Sequence, residues 1–185
     1  MKQTVLGDGI STIEGFLTQE ECKFFIEKSE RIGYEPATVE TEKGPVRIET
    51  VRNNNRIIFS DPDLAISLWE KARSFSPKKI GNSTAIELNE MFRFYKYEPG
   101  QQFRKHKDQS YIRNDSEASY YTILIYLNDD YSGGETAFNE ITVNPRTGTA
   151  LIFRHDLEHR GSEVTSGVKY ILRTDIMFSL QAPEE

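Results

Sequence analysis

The sequence predicts an α+β fold in which helices precede a curled antiparallel sheet. Apolar residues recur with a helical period of about 3.6 up to Glu90 and with a period of about 2 from there onward. Helix caps occur in the first part, and glycine- and proline-containing turns separate the strand-like runs of the second. At 185 residues the chain is expected to form one domain, with residues 1–89 as mainly helical support and residues 90–180 as the strand core.

Two helices are predicted in the first part. Thr18 and Glu21 form a capping box for the first helix, and Gly33 ends it. The second helix is expected to begin with Ser60 as its N-cap and Pro62 in its first turn. Both carry an apolar stripe, so we expect both to cover a sheet.

The second part of the chain predicts five strands joined by turns and one longer loop. The strands are Met91–Tyr97, Phe103–Asp108, Tyr120–Leu127, Thr149–Arg154 and Val168–Phe178. The segment Gln109–Ala118 is rich in Ser, Asn and Asp and predicts a loop. The polar segment Glu40–Arg56 predicts a hairpin or loop. These two segments are candidate lids over a substrate.

Composition narrows the class of protein. There are 23 Lys and Arg against 29 Asp and Glu, a net charge of −6, which lacks the basic footprint of nucleic-acid binding. The single cysteine, Cys22, excludes an intrachain disulfide and favours a reducing compartment. No apolar run resembles a signal peptide or a membrane span. We therefore expect a cytoplasmic protein with no nucleic-acid or membrane partner, and the oligomeric state stays open.

The ionisable residues point to a metal. His106 is followed two positions later by Asp108, and His159 and Lys169 come further on. Side chains at i and i+2 of a strand point the same way, so His106 and Asp108 can bind one ion. Two imidazoles and a carboxylate form a facial triad that holds Fe(II) and leaves positions open for a chelator and dioxygen. Lys169 would suit a dicarboxylate.

The third histidine allows a competing zinc hypothesis. His155 and His159 are four residues apart, which is the spacing of a zinc-binding helix. However, the apolar run before His155 is strand-like, no Glu follows it directly, and thiolate ligands of a structural zinc site are absent. We therefore interpret His155 as a loop residue or as a partner that orients a ligand.

Several motifs in the same order resemble one known family. The sequence contains YEPGQQF before His106, TILIYLN with GGETAF after it, then PRTGTALIF, HRG around His159, and GVKY around Lys169. This combination resembles the prolyl 4-hydroxylase-like branch of the Fe(II)/2-oxoglutarate-dependent oxygenases. The likeness is strong from Glu90 to Phe178 and looser around the first helix.

The resemblance implies a double-stranded β-helix (jelly-roll) core with the N-terminal helices packed on its major sheet. It implies that His106, Asp108 and His159 are the iron ligands and that Lys169 pairs with the far carboxylate of the co-substrate 2-oxoglutarate. Tyr97 and Thr122 match family positions that hydrogen-bond to the same carboxylate. The implied cofactors are Fe(II), 2-oxoglutarate and dioxygen.

The implied function is a dioxygenase that hydroxylates an unactivated C–H bond while 2-oxoglutarate is decarboxylated to succinate. The substrate would be a peptidyl residue such as proline; the alternatives are a free amino acid or other small molecule and, remotely, a non-catalytic binding or sensor domain. Arg173 alternates onto the same face as Lys169. It is expected either to bind an anionic group of the substrate or to form a buried ion pair with Asp156, Asp175 or another acid.

Overall fold

The fold is mostly β-sheet with two helices in the part of the chain that the computed structural model describes, residues 1–41 and 44–180. The helices are α1 (Gln19–Ile32) and α2 (Pro62–Ala72). The strands before residue 90 are β1 (Lys2–Gly7), β2 (Ile10–Glu14), β3 (Glu35–Pro36), β4 (Val39–Thr41), β5 (Gly44–Val46), β6 (Asn55–Ser60), β7 (Lys79–Ile80) and β8 (Ser83–Leu88). Those after it are β9 (Met91–Tyr97), β10 (Phe103–His106), β11 (Glu117–Tyr126), β12 (Ser132–Gly133), β13 (Thr136–Ala137), β14 (Thr142–Val143), β15 (Ala150–Arg154), β16 (His159–Gly161), β17 (Val164–Ser166) and β18 (Lys169–Leu180).

Both predicted helices are present, and one cap differs. Thr18 accepts from the backbone N–H of Glu21 while the Glu21 side chain accepts from that of Thr18, so the capping box is complete. The N-cap of α2 is Asp61, whose carboxylate accepts from the backbone N–H of Leu64 at 3.0 Å. The prediction of Ser60 was wrong because Ser60 is still paired as the last residue of β6. Neither helix has the length and apolarity needed to cross a membrane, and no other helix occurs among the described residues.

The first ninety residues are less helical than their pattern predicts, because eight short strands lie among the two helices. Strands of two or three residues are too short to show an alternation of apolar and polar residues. The strand β1 lies exposed at the edge of the sheet and therefore needs no apolar face. The segment Glu40–Arg56 contains the hairpin β4–β5, of which residues 42–43 lie outside the described residues. The segment Gln109–Ala118 is a loop up to Ser116 and is closed by a bridge from Ile112 to Ala118.

The five strands predicted after Glu90 are present with small shifts at their ends. They pair antiparallel within two sheets. The larger sheet has the order β1-β2-β15-β11-β18-β9-β6-β3, and β8 pairs with β18 and β7. The smaller sheet has the order β10-β16-β13-β14. The long strand β18, most of whose residues are buried, therefore stands between β11 and β9.

Alternation along β9 divides the interior into two apolar clusters. Phe92 and Phe94 belong to a cluster that also contains buried residues of both helices. Tyr95 and Tyr97 lie on the opposite face, in a second cluster with Tyr126. Because successive side chains of a strand point to opposite faces, the same strand supports the core on one side and lines the candidate site on the other.

Candidate metal centre

Three side chains from two paired segments converge as a metal-binding triad. His106 ends β10, His159 begins β16, and the two residues are directly paired across the antiparallel ladder. Asp108 follows two residues after β10, which ends sooner than predicted. One ligand atom from each residue lies within 4.8 Å of the other two. The Oδ1 atom of Asp108 is 3.7 Å from Nε2 of His106 and 4.0 Å from Nε2 of His159.

Backbone carbonyls orient both imidazoles. Nδ1 of His106 is 2.7 Å from the carbonyl oxygen of Arg104, and Nδ1 of His159 is 3.1 Å from that of Leu157. A carbonyl only accepts, so each Nδ1 carries the proton and each Nε2 presents a lone pair to the centre. Burial lowers the pKa of His106 to about 4 and also lowers the pKa of His159. Both rings are therefore neutral near pH 7, as metal ligation requires.

The Asp108 carboxylate is held with one oxygen toward the centre. Its Oδ2 accepts from the Thr122 hydroxyl at 2.5 Å and pairs with Nη2 of Arg173 at 3.1 Å, which leaves Oδ1 facing the two histidines. Burial alone would raise the pKa of Asp108, but Arg173 and His159, with the Thr122 hydrogen bond, hold it well below its ordinary value. Two neutral imidazoles, one carboxylate oxygen and no thiolate are a donor set that fits Fe(II).

Lys169 lies in the cavity beside the triad. It begins β18, pairs with Tyr97 of β9 and is 1% exposed. Its ammonium donates to the carbonyl oxygen of Gly134 at 2.6 Å and lies 5.0 Å from the Tyr97 ring centroid. Burial lowers the pKa of Lys169 to about 7, since no carboxylate among the described residues forms an ion pair with it. A buried ammonium that has no ion-pair partner among the described residues can bind an anionic group of a ligand.

The structure separates Thr122 from the other residues expected to hold the dicarboxylate. Thr122 pairs with Asp175 on β18, whereas Lys169 pairs with Tyr97. Six residues of strand separate Asp175 from Lys169, about 20 Å of backbone. Thr122 therefore hydrogen-bonds to Asp108 instead, and the register of β11 against β18 is the reason.

Two contributors to the cavity were missed in the sequence. Thr136 of β13 lines the cavity and accepts from the buried Tyr126 hydroxyl at 2.7 Å. Gly134 has φ +70°, and a Cβ there would lie 3.1 Å from Cδ of Lys169, so only glycine lets the lysine approach this backbone. The signal that could have found both residues is the GGETAF motif, in which Gly134 lies two positions before Thr136.

Arg173 forms the buried ion pairs that were one of its two predicted roles. Besides Asp108, its Nη2 contacts Oδ1 of Asp175 at 3.2 Å, and Asp175 also pairs with Arg93 at 3.4 Å. His155 does not join the triad: its Nε2 lies 3.6 Å from Asp175. Arg173 and its ion-pair partners therefore form a buried cluster next to Thr122. This cluster holds the Asp108 carboxylate, which would be a ligand of the metal.

Sequence comparison finds a family model that matches the part of the chain that carries the triad. The family model described as the 2OG-Fe(II) oxygenase superfamily matches residues 92–174. The chain is 29% identical over 169 residues to a probable prolyl 4-hydroxylase 10 of Arabidopsis thaliana, covering 77% of this chain and 56% of that protein. It is 26% identical over 174 residues to prolyl 4-hydroxylase 2 of the same plant, covering 76% and 54%. The chain thus spans about half the length of these curated relatives.

Solved structures share the fold. A viral collagen prolyl hydroxylase from Paramecium Bursaria Chlorella virus-1, in complex with 2-oxoglutarate, has a TM-score of 0.65 at 22% identity and covers 94% of this chain and 97% of its own. A Trichoplax adhaerens prolyl hydroxylase, in complex with a hypoxia inducible factor peptide fragment, has a TM-score of 0.70 at 17% identity, covering 91% and 83%. The chain is therefore similar in sequence to the 2OG-Fe(II) oxygenase superfamily over residues 92–174 and to plant prolyl 4-hydroxylases over a longer stretch, and it shares its fold with solved prolyl hydroxylases.

Proposed function

We propose that this protein is an Fe(II)- and 2-oxoglutarate-dependent dioxygenase that hydroxylates an unactivated C–H bond of a peptidyl residue such as proline. One observation carries the proposal: a buried lysine that forms no ion pair with a carboxylate of the described residues shares a cavity with a complete His-Asp-His triad. The fold shared with prolyl hydroxylases supports it, and the proposal includes a jelly-roll core with the helices packed on its major sheet. A cytoplasmic location remains a prediction.

The two ends of the cavity would bind different groups. His106, His159 and Oδ1 of Asp108 would hold Fe(II), while the Lys169 ammonium would pair with the far carboxylate of 2-oxoglutarate beside the Tyr97 ring. When bound, Fe(II), 2-oxoglutarate and dioxygen would supply the oxidising chemistry. In that chemistry 2-oxoglutarate becomes succinate and carbon dioxide, and the substrate gains a hydroxyl group.

The surrounding residues keep the site ordered and dry. Thr122 and Arg173 hold Oδ2 of Asp108, so that the carboxylate stays ionised and presents one oxygen. Phe153 packs against the His159 ring at 4.5 Å between centroids and excludes water from that side. A water-poor site strengthens the ion pair between Lys169 and a bound dianion.

Anaerobic addition of Fe(II) and 2-oxoglutarate tests the proposal. We expect the visible metal-to-ligand charge-transfer band in the parent protein and its loss in Asp108→Ala. The matched control is Asp156→Ala, because Asp156 is exposed and pairs only with Arg154 among the described residues. A well-folded parent that gives no band would contradict the proposal.

Turnover separates an enzyme from a binding domain. With dioxygen present, the parent should convert 2-oxoglutarate to succinate, and His159→Ala should not. A prolyl peptide that gains one oxygen atom would support the peptidyl substrate. Gain of the oxygen by free L-proline alone would favour the small-molecule alternative.

A further inference from the structure

A second opening reaches the metal centre, and Lys169 does not line it. It shares with the first cavity the metal ligands His106 and Asp108 and the wall residues Tyr95, Phe103 and Arg173. The charged residues of its remaining wall are all basic: Arg52, Arg56, Arg93 and Lys107. Because 2-oxoglutarate would occupy the first cavity, the substrate would reach the metal centre through the second opening.

Arg52 forms no ion pair with a carboxylate in the part of the chain that the structure describes. It is 5% exposed, and its guanidinium carbon lies 4.4 Å from the Tyr95 ring centroid and 4.3 Å from that of Phe103. Its Nε donates to the side-chain oxygen of Asn54 at 2.7 Å. Its Nη2 is buried and has no hydrogen-bond partner among the described residues. Two aromatic faces and one amide do not replace the hydration of a guanidinium.

The carboxylates of the neighbourhood are already engaged. Asp108 pairs with Arg173 and belongs to the metal triad, and Asp175 pairs with Arg93 and Arg173. No ion pair joins Arg52 to a carboxylate in residues 1–41 and 44–180. The positive charge of the nearby arginines lowers the pKa of Tyr95. Burial would raise the pKa of its hydroxyl, but Arg173, Arg52 and Arg93 lower it to about 8.

Backbone pairing with β10 positions Arg52 beside the metal triad. It forms an antiparallel bridge with Phe103, and the backbone N–H of Arg104 donates to the carbonyl oxygen of Val51 at 3.0 Å. The Phe103 ring in turn stacks on the His106 ring, with centroids 3.5 Å apart and planes 18° from parallel. One aromatic ring therefore separates the guanidinium from a metal ligand.

We propose that the substrate carries a carboxylate that binds Arg52, one aromatic ring away from His106. A carboxylate is planar and has two oxygens, which matches the edge of a guanidinium whose faces pack against rings. The inference rests on the proposed function and specifies its substrate class: an anionic substrate whose reacting carbon lies near the carboxyl group. The carboxylate is either the α-carboxylate of a free amino or imino acid or an acidic side chain next to the target residue of a peptide.

Matched acids and amides test the proposal. Calorimetric titration is done anaerobically on protein in which the Fe(II)–2-oxoglutarate band shows that both groups are bound, so that Lys169 and the metal are already engaged. One pair of probes is L-proline and L-prolinamide, and the other is acetyl-Pro-Glu-amide and acetyl-Pro-Gln-amide. We expect the acid of one pair to bind about tenfold or more tightly than its partner, and that pair identifies the source of the carboxylate.

Variants tie the preference to Arg52. Arg52→Gln should lose the preference for the acid while retaining the Fe(II)–2-oxoglutarate band. Arg146→Gln is the matched control, because Arg146 is exposed and lines neither cavity, and it should keep the preference. If Arg52→Gln does not fold, Arg52→Lys retains a cation without the planar fork, and its preference should fall severalfold.

The outcomes separate this inference from the function on which it rests. Equal affinity of acid and amide in both pairs, with the band present, overturns the proposal while leaving the oxygenase function intact. An unchanged preference in Arg52→Gln overturns it as well. Absence of the band in the folded parent removes the oxygenase function and the proposal together.

Discussion

Lys169 should make the stability of the ligand-free protein depend on pH. Burial lowers its pKa from 10.5 to about 7 in the folded chain, so the unfolded chain binds more protons between these two values. Stability therefore rises with pH across this interval. The full interval corresponds to about 5 kcal/mol, because each pKa unit is about 1.36 kcal/mol. Between pH 7 and pH 9 the expected gain is about 2 kcal/mol.

The assay is urea denaturation of the metal-free protein at pH 7 and pH 9. Lys169→Met removes the titrating ammonium, and we expect the gain to disappear while the contributions of all other groups remain. Lys79→Met is the matched control, because Lys79 is exposed on β7, and it should keep the full gain. Parallel pH profiles for the parent and Lys169→Met would refute the idea that Lys169 is a buried cation without an anion.

The same variant connects stability to the co-substrate. With Ni(II) in place of Fe(II), 2-oxoglutarate should stabilise the parent protein, since a carboxylate beside Lys169 raises the pKa of its ammonium and restores its charge. Lys169→Met should show little of this stabilisation. Equal stabilisation of both proteins would place the dicarboxylate somewhere other than beside Lys169.

Three further predictions concern positioning and folding. Thr122→Val should weaken metal binding about 10- to 100-fold in a competition with a chromogenic chelator, because Asp108 loses the donor that orients it, whereas Thr122→Ser should retain most of the affinity. Thr18→Ala should lower the free energy of unfolding by about 1 kcal/mol in urea, through loss of the capping box; no change would show that the cap contributes nothing. Gly148→Ala should lower the melting temperature, because Gly148 has φ +76° and a Cβ would lie 2.2 Å from the carbonyl oxygen of Leu17; an unchanged melting temperature would contradict this close approach.

The features that the sequence predicted best depend on neighbouring residues. The capping box needs Thr18 and Glu21 three positions apart, and one turn of helix brings them together. The alternation of Met91–Tyr97 depends only on the geometry of a single strand, and β9 has these bounds in the structure. The cap of α2 was misplaced by one residue, because Ser60 and Asp61 are both capable caps and strand pairing decides between them.

The metal triad could be proposed from spacing and residue type because few side chains suit a metal and this chain has only three histidines. The geometric argument was partly wrong, since β10 ends at His106 and Asp108 is placed by the segment after it. What fixes Asp108 is remote in sequence: Thr122 on β11 and Arg173 on β18.

The sequence by itself determined the candidate site residues: the three side chains that could bind a metal, the lysine at the start of β18 and the alternating strands around them. Only the tertiary structure decided which partners these residues meet. The register of β11 against β18 brings Thr122 to Asp108 and away from Lys169. The bridge between Arg52 and Phe103 buries an arginine that nothing in its polar segment distinguishes. Strand register and long-range bridges depend on how the whole core packs, so local periodicity does not encode them.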